Sequence, residues 1–148
     1  MAEMAQSSII TRPPDVVWSA LSDFAGISRW APNVAHSCLT TDQETGVGTV
    51  RRVQVGRNAL LETVEEWVPG ERLSYSIAGL PSVVRSVTNT WELDARGTST
   101  SVTLTTRVDA GPRPPQQLIA RVAGRVLARA GQDLLGGLTA HLDTEEAR

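Results

Sequence analysis

The sequence predicts an α+β fold, a curved antiparallel β-sheet of about seven strands wrapped around one long C-terminal helix. Three observations predict it. From Val34 to Val108 apolar and polar residues alternate with period two, as in half-buried strands. Short turn signals interrupt that stretch, so neighbouring strands run antiparallel as hairpins. From Gln116 to about Asp143 the apolar residues recur at helical spacing, long enough to cover one face of the sheet.

The first element, Gln6 to Arg12, is short and extended, and Pro13-Pro14 stops it. Pro14 suits the first position of a helix, where no N–H is needed, and Asp15 complements the positive helix start. Val17, Trp18 and Leu21 give this helix an apolar face. A second short helix spans Ala25 to Trp30 and ends at Pro32. The candidate strands are Val34–Thr41, Gly48–Val55, Leu60–Val68, Arg72–Ala78, Arg85–Leu93 and Thr100–Val108. Between them, Glu44-Thr45-Gly46, Gly56-Arg57-Asn58, Pro69-Gly70, Gly79-Leu80-Pro81 and Arg96-Gly97 are turn signals.

One phase of the strands is wet, with Ser74, Ser76, Ser86, Thr88, Thr90, Glu92, Ser101, Thr103, Thr105 and Arg107. The other holds Val53, Val55, Leu61, Trp67, Leu73, Ile77, Val87, Trp91, Val102, Leu104 and Val108, and must pack on something. That partner is the last segment, entered through Gly111-Pro112 and Pro114-Pro115. Leu118, Ile119, Val122, Val126, Ala130, Leu134, Leu138 and Leu142 form its apolar band, with Arg121, Arg125 and Arg129 on the opposite side.

Composition narrows the function classes. A chain of 148 residues, 41% apolar, is the size of one ordinary domain, here residues 1–148, and needs no metal or disulfide staple. The net charge of −2 gives no general attraction to nucleic acid or anionic membranes. All 14 basic residues are Arg, which rules out a lysine Schiff base or a P-loop lysine. Cys38 is the only cysteine, so no internal disulfide forms; it reads as a small core residue. No secretory leader and no membrane-length apolar run is visible, and the expected location is the cytoplasm. His36 and His141 are far apart and offer no metal-binding spacing, and no nucleophile elbow or related catalytic motif occurs. No cofactor and no metal are expected.

Several segments, taken together over nearly the whole chain, carry a resemblance. They are P-P-D-V-V-W-S-A-L-S-D-F at 13–24, S-R-W-A-P at 28–32 and G-V-G-T-V-R-R at 46–52. E-E-W-V-P-G-E-R-L-S-Y-S-I at 65–77 and T-W-E-L-D-A-R-G-T-S at 90–99 follow. With a strand, two short helices, six strands and one long helix in that order, the chain resembles the START-like (SRPBCC) helix-grip superfamily, in its polyketide cyclase/dehydrase-like branch. The resemblance implies a deep cavity between sheet and helix that holds an apolar small molecule, lipid-, quinone- or polyketide-like. Some members of the superfamily cyclise or dehydrate polyketide chains and others only bind or carry, so the fold alone does not fix the chemistry.

The apolar phase places several polar side chains inside as well: Arg51, Thr63, Glu65, Tyr75, Arg85, Asn89 and Thr106. If the turn at Gly56–Asn58 pairs Val55 with Leu61, Arg51 lies opposite Glu65, with Tyr75 beside Glu65 and Asn89 beside Tyr75. The expected ligand contacts are therefore Arg51, Val53, Val55, Leu61, Thr63, Glu65, Tyr75, Ile77, Val87, Asn89, Trp91 and Leu104 of the sheet, with Val126 and Ala130 of the helix. The polar set reads as ligand-orienting groups or as a satisfied structural network. A third reading makes Glu65 or Tyr75 the acid/base residue of a cyclase or dehydratase. The loops Gly56–Ala59 and Gly79–Val84 are expected to form a lid. The expected partner is a small apolar ligand, without nucleic acid or membrane insertion; a homodimer is left open.

Overall fold

In the computed structural model, which describes residues 2–146, seven strands form one antiparallel sheet. The strands are β1 (Ala2–Ile10), β2 (His36–Leu39), β3 (Val50–Val55), β4 (Asn58–Val68), β5 (Arg72–Ala78), β6 (Ser86–Arg96) and β7 (Ser99–Asp109). Helix α1 (Pro14–Ser22) and a 3₁₀ helix (Phe24–Arg29) lie between β1 and β2, and α2 (Pro114–Glu146) closes the chain. The spatial order is β1-β7-β6-β5-β4-β3-β2. Consecutive hairpins thus build the sheet from β2 to β7, and β1 adds to the far edge.

The element order is the one expected, and the differences have local causes. β1 starts at Ala2 because Ala2 to Ile10 pair with Val108 to Thr100; Ala2, Met4 and Ala5 carry no strand preference of their own, so β7 supplies the template. β2 is short because it is an edge strand paired only with β3. Pro114 and Pro115, expected in a linker, instead occupy the first turn of α2, where their missing N–H groups cost nothing.

Register on β3 and β4 departs from expectation and has the largest consequence. Val55 pairs with Asn58 across a two-residue Gly56-Arg57 turn, so Val53 faces Leu60 and Arg51 faces Glu62. Gly56 has φ 59°, the left-handed value a tight hairpin turn of this length requires at its first central residue. Relative to a Val55–Leu61 pairing the strand is shifted by an odd number of residues, which exchanges its faces. A β-bulge at Glu65, between the Val64–Tyr75 and Glu66–Ser74 pairs, then restores the expected phase, and Trp67 points inward. Leu61, Thr63 and Glu65, expected inside, therefore face outward.

The inner face packs on α1, the 3₁₀ helix and the C-terminal half of α2. Edge-on aromatic contacts tie these layers: Trp18 on Trp67 at 5.3 Å, Phe24 on Tyr75 at 5.6 Å and Trp30 on Trp91 at 5.9 Å between ring centroids. Leu134, Leu135, Leu138 and Leu142 of α2 are buried in the same core. α2 lies chiefly against β1 and β7, so the inner face of β3–β5 is left to be covered from one side only. The helical band splits accordingly. Leu134, Leu138 and Leu142 pack as expected, whereas Leu118, Val122 and Val126 stay exposed, and Ala120 with Ile119, Ala123 and Leu127 makes the inward contact instead.

Candidate functional site

Between the uncovered part of the sheet and α2 lies a cavity of about 470 Å³, within the range of small-molecule sites. Val53, Val55, Leu60 and Ile77 form its sheet wall, and Ile27 and Val34 close it from the 3₁₀ helix and the loop that follows. Val126, Leu127, Ala130, Gly131 and Leu134 form the helix wall. Asn58 on one side and Gly79, Leu80 and Pro81 on the other make the rim. A Cβ at Gly79 would sit 2.8 Å from the backbone oxygen of Ala59, so only glycine lets the two rim loops approach this closely.

The polar groups of the wall are Asn33, Asn58, Glu62, Tyr75 and Asn89. Arg51, buried just behind them, donates from Nε to Glu62 Oε1 at 2.7 Å and from Nη1 to the Phe24 carbonyl at 3.0 Å. Its guanidinium carbon stands 3.7 Å from the ring centroid of Phe24 and 4.7 Å from that of Tyr75. This buried cation thus has a carboxylate, a carbonyl and two aromatic faces as partners, which offsets its desolvation.

The Tyr75 hydroxyl oxygen accepts from Trp91 Nε1 at 3.2 Å and, at longer range, from Asn89 Nδ2 at 3.5 Å. Asn89 Oδ1 in turn accepts from Thr106 Oγ1 at 2.7 Å. In both bonds the Tyr75 oxygen is the acceptor, and no bond in which its hydroxyl donates is formed among the described residues. Burial pushes the Tyr75 phenol above its ordinary value, and the Glu62 carboxylate adds to the rise. Arg51 and the bonds from Trp91 and Asn89 oppose it without cancelling it. Tyr75 is therefore a neutral phenol on the cavity wall. Asn33 Oδ1 is likewise buried with no partner among the described residues.

Of the residues expected around a ligand, Val53, Val55, Tyr75, Ile77, Asn89, Val126 and Ala130 line the cavity. Arg51 stands one layer behind, held by Glu62. Trp91 and Leu104 belong to the core beside it, and Val87 lies in a separate cluster with Val108 and Ala120. Leu61, Thr63 and Glu65 point away for the reason of register given above; Leu61 is 45% exposed, and Glu65 is also exposed. Arg85 is exposed in front of β6 rather than inside. His36 and Cys38 are exposed on the edge strand β2, so Cys38 is not a core residue. Glu62 and Leu60 were readable from the two-residue turn at Gly56-Arg57. Asn33 sits in the loop before β2, and Val34, expected to open that strand, stands in the same loop because β2 begins only at His36.

A family model described as polyketide cyclase / dehydrase and lipid transport matches residues 1–143. No curated protein matches the chain. Among solved structures, the protein XoxI from Bacillus cereus superposes with a TM-score of 0.78 at 19% identity, over 99% of each chain. The Zhui aromatase/cyclase from Streptomyces sp. R1128 superposes with a TM-score of 0.76 at 18% identity, over 96% of this chain and 93% of that one. A START superfamily protein from Mycobacterium smegmatis gives 0.68 at 13% identity, over 92% and 96%. These likenesses carry the helix-grip fold. The whole-length family match carries more: this chain belongs to the polyketide cyclase/dehydrase and lipid-transport family.

Proposed function

We propose that the chain binds an apolar small molecule, lipid-, quinone- or polyketide-like, in the cavity between β3–β5 and α2, with an accepting oxygen of the ligand at Tyr75. The observation that carries this reading is the buried, neutral Tyr75 hydroxyl, which accepts bonds from Trp91 and Asn89 and has a proton left to give. A buried donor without an acceptor costs about 1–3 kcal/mol, and a ligand carbonyl removes that cost. The surrounding aliphatic wall supplies affinity, and the single donor supplies orientation. A single exposed thiol, Cys38, fits a reducing compartment, the cytoplasm.

Naphthoquinone and methyl nonyl ketone are suitable probes, with tryptophan fluorescence as readout because Trp91 touches Tyr75. Binding is expected for both and is expected to weaken in Tyr75→Phe. In Ala130→Trp, which fills the helix wall, binding should be lost at an unchanged melting temperature. Equal affinity of the wild type and Ala130→Trp would place the ligand elsewhere.

One observation favours a cyclase or dehydratase as the second reading. The same Tyr75 proton could polarise a carbonyl as general acid. Glu65, outside the cavity, has no part in such a step, and Glu62 is committed to Arg51. An enzyme of this kind would lose turnover in Tyr75→Phe while keeping most of its substrate affinity.

A further inference from the structure

We infer that the ligand is longer than the cavity: its accepting head lies at Tyr75 and an aliphatic chain leaves over α2 into an external groove. This rests on the cavity reading above. The groove, about 490 Å³, runs between the β5–β6 loop and the first half of α2, and every residue lining it is apolar. Leu118, Val122 and Val126, spaced four apart on α2, present one stripe to it and are 60%, 56% and 68% exposed. Val83 faces them from the loop and is 57% exposed. A stripe of this kind is uncommon on a helix that covers nothing with it.

Its position names the occupant. Leu80, Pro81, Val126 and Leu127 line both the groove and the inner cavity. The two spaces are therefore neighbours separated by four side chains, two from a Pro-containing loop and two from the helix. An apolar chain attached to a head group at Tyr75 can pass between them and stay on apolar surface along its whole length. A charged or branched polar tail has no partner on this route. The ligand class is accordingly a carbonyl-headed molecule with a long unbranched hydrocarbon chain.

Two methyl ketones with one head separate the two ideas: methyl nonyl ketone, short enough for the cavity, and methyl heptadecyl ketone. Val122→Glu puts a carboxylate in the groove at an exposed helix position that does not line the cavity; Val83→Glu does so from the opposite wall. The long ketone should bind wild type more tightly than the short one, and each variant should weaken only the long ketone, by about tenfold or more. If neither variant affects the long ketone, or wild type gains nothing from the longer chain, the groove is not part of the site. A change confined to self-association in sedimentation, or to phosphatidylcholine vesicle binding, at constant ketone affinity would likewise overturn the inference. Failure of wild type to bind either ketone would instead remove the cavity reading on which it rests.

Discussion

Tyr75 is the only tyrosine of a chain that has no lysine. Its ionisation can therefore be followed almost alone at alkaline pH. The unfolded chain releases this proton near the ordinary value of 10.0, and the folded chain holds it to higher pH because the buried phenolate is disfavoured. The neutral phenol thus leaves stability intact below pH 10.0. Above it the unfolded state deprotonates first, and stability falls until the folded value is passed. Denaturant melts across this range should show that decline in wild type and a flatter profile in Tyr75→Phe, with phenolate absorbance appearing late in the folded protein. Arg51 and Glu62, whose side chains are 3% and 8% exposed, give a second residue-scale expectation. Glu62→Gln strands a buried guanidinium and should cost about 3–5 kcal/mol, while Arg51→Met with Glu62→Leu should recover part of it. Additive losses in the double-mutant cycle would show that the pair is not coupled.

At the scale of elements, α2 shows how closely the helix is fitted. Gly136 and Gly137 are chain neighbours in different surroundings. A Cβ at Gly136 meets nothing within 4 Å, whereas one at Gly137 would overlap the Trp30 carbonyl oxygen and lie 2.7 Å from Pro32 Cδ. Gly136→Ala should stabilise by about 0.5–1 kcal/mol through helix propensity. Gly137→Ala should destabilise by about 1–3 kcal/mol, because the loop after the 3₁₀ helix has to retreat. Thermal melts of the two single variants test this directly, and equal shifts would mean that helix and loop do not touch here. The β4 bulge is the corresponding device in the sheet. It lets Glu62 and Val64 point inward before it and Trp67 after it, so one strand serves the cavity at one end and the aromatic core at the other.

At the scale of the molecule, α2 is the main cover over the β1–β7 side of the inner face, with α1 touching β6 and β7 at one end, and it also supplies one wall of the cavity. Removal of residues 116–148 exposes Leu104, Val102 and Val108, all buried in the whole chain. The truncated chain should lose its cooperative melt and aggregate rather than persist as a ligand-free sheet. A monomeric truncated form with a sharp transition would show that the sheet is stabilised by other means. The family match and the shared fold set the same frame; within it the cavity, its tyrosine donor and the apolar groove are features of this chain's own side chains.

Local pattern was sufficient for most of this. Alternation placed β5 at Arg72–Ala78 and the remaining strands to within a few residues, since one buried face forces period two on each strand. The helical band and the Arg121, Arg125 and Arg129 row likewise set α2 and its wet side. Tyr75 and Asn89 came out as inward neighbours because β5 and β6 carry no irregularity between them. The Arg51 partner did not. Trp67 and Leu61 share a parity, so an uninterrupted strand puts both inside; the bulge at Glu65 and the two-residue turn at Gly56-Arg57 break that parity, and Glu62 takes the place given to Glu65. A bulge leaves almost no trace in sequence, because it is selected by how a strand must bend against distant layers. The groove was hidden for a similar reason. Leu118, Val122 and Val126 look like core on a helical wheel, and only the packing of α2 against β1 and β7 leaves them facing the outside. A sequence fixes which residues share a face; what that face meets depends on how separate elements pack.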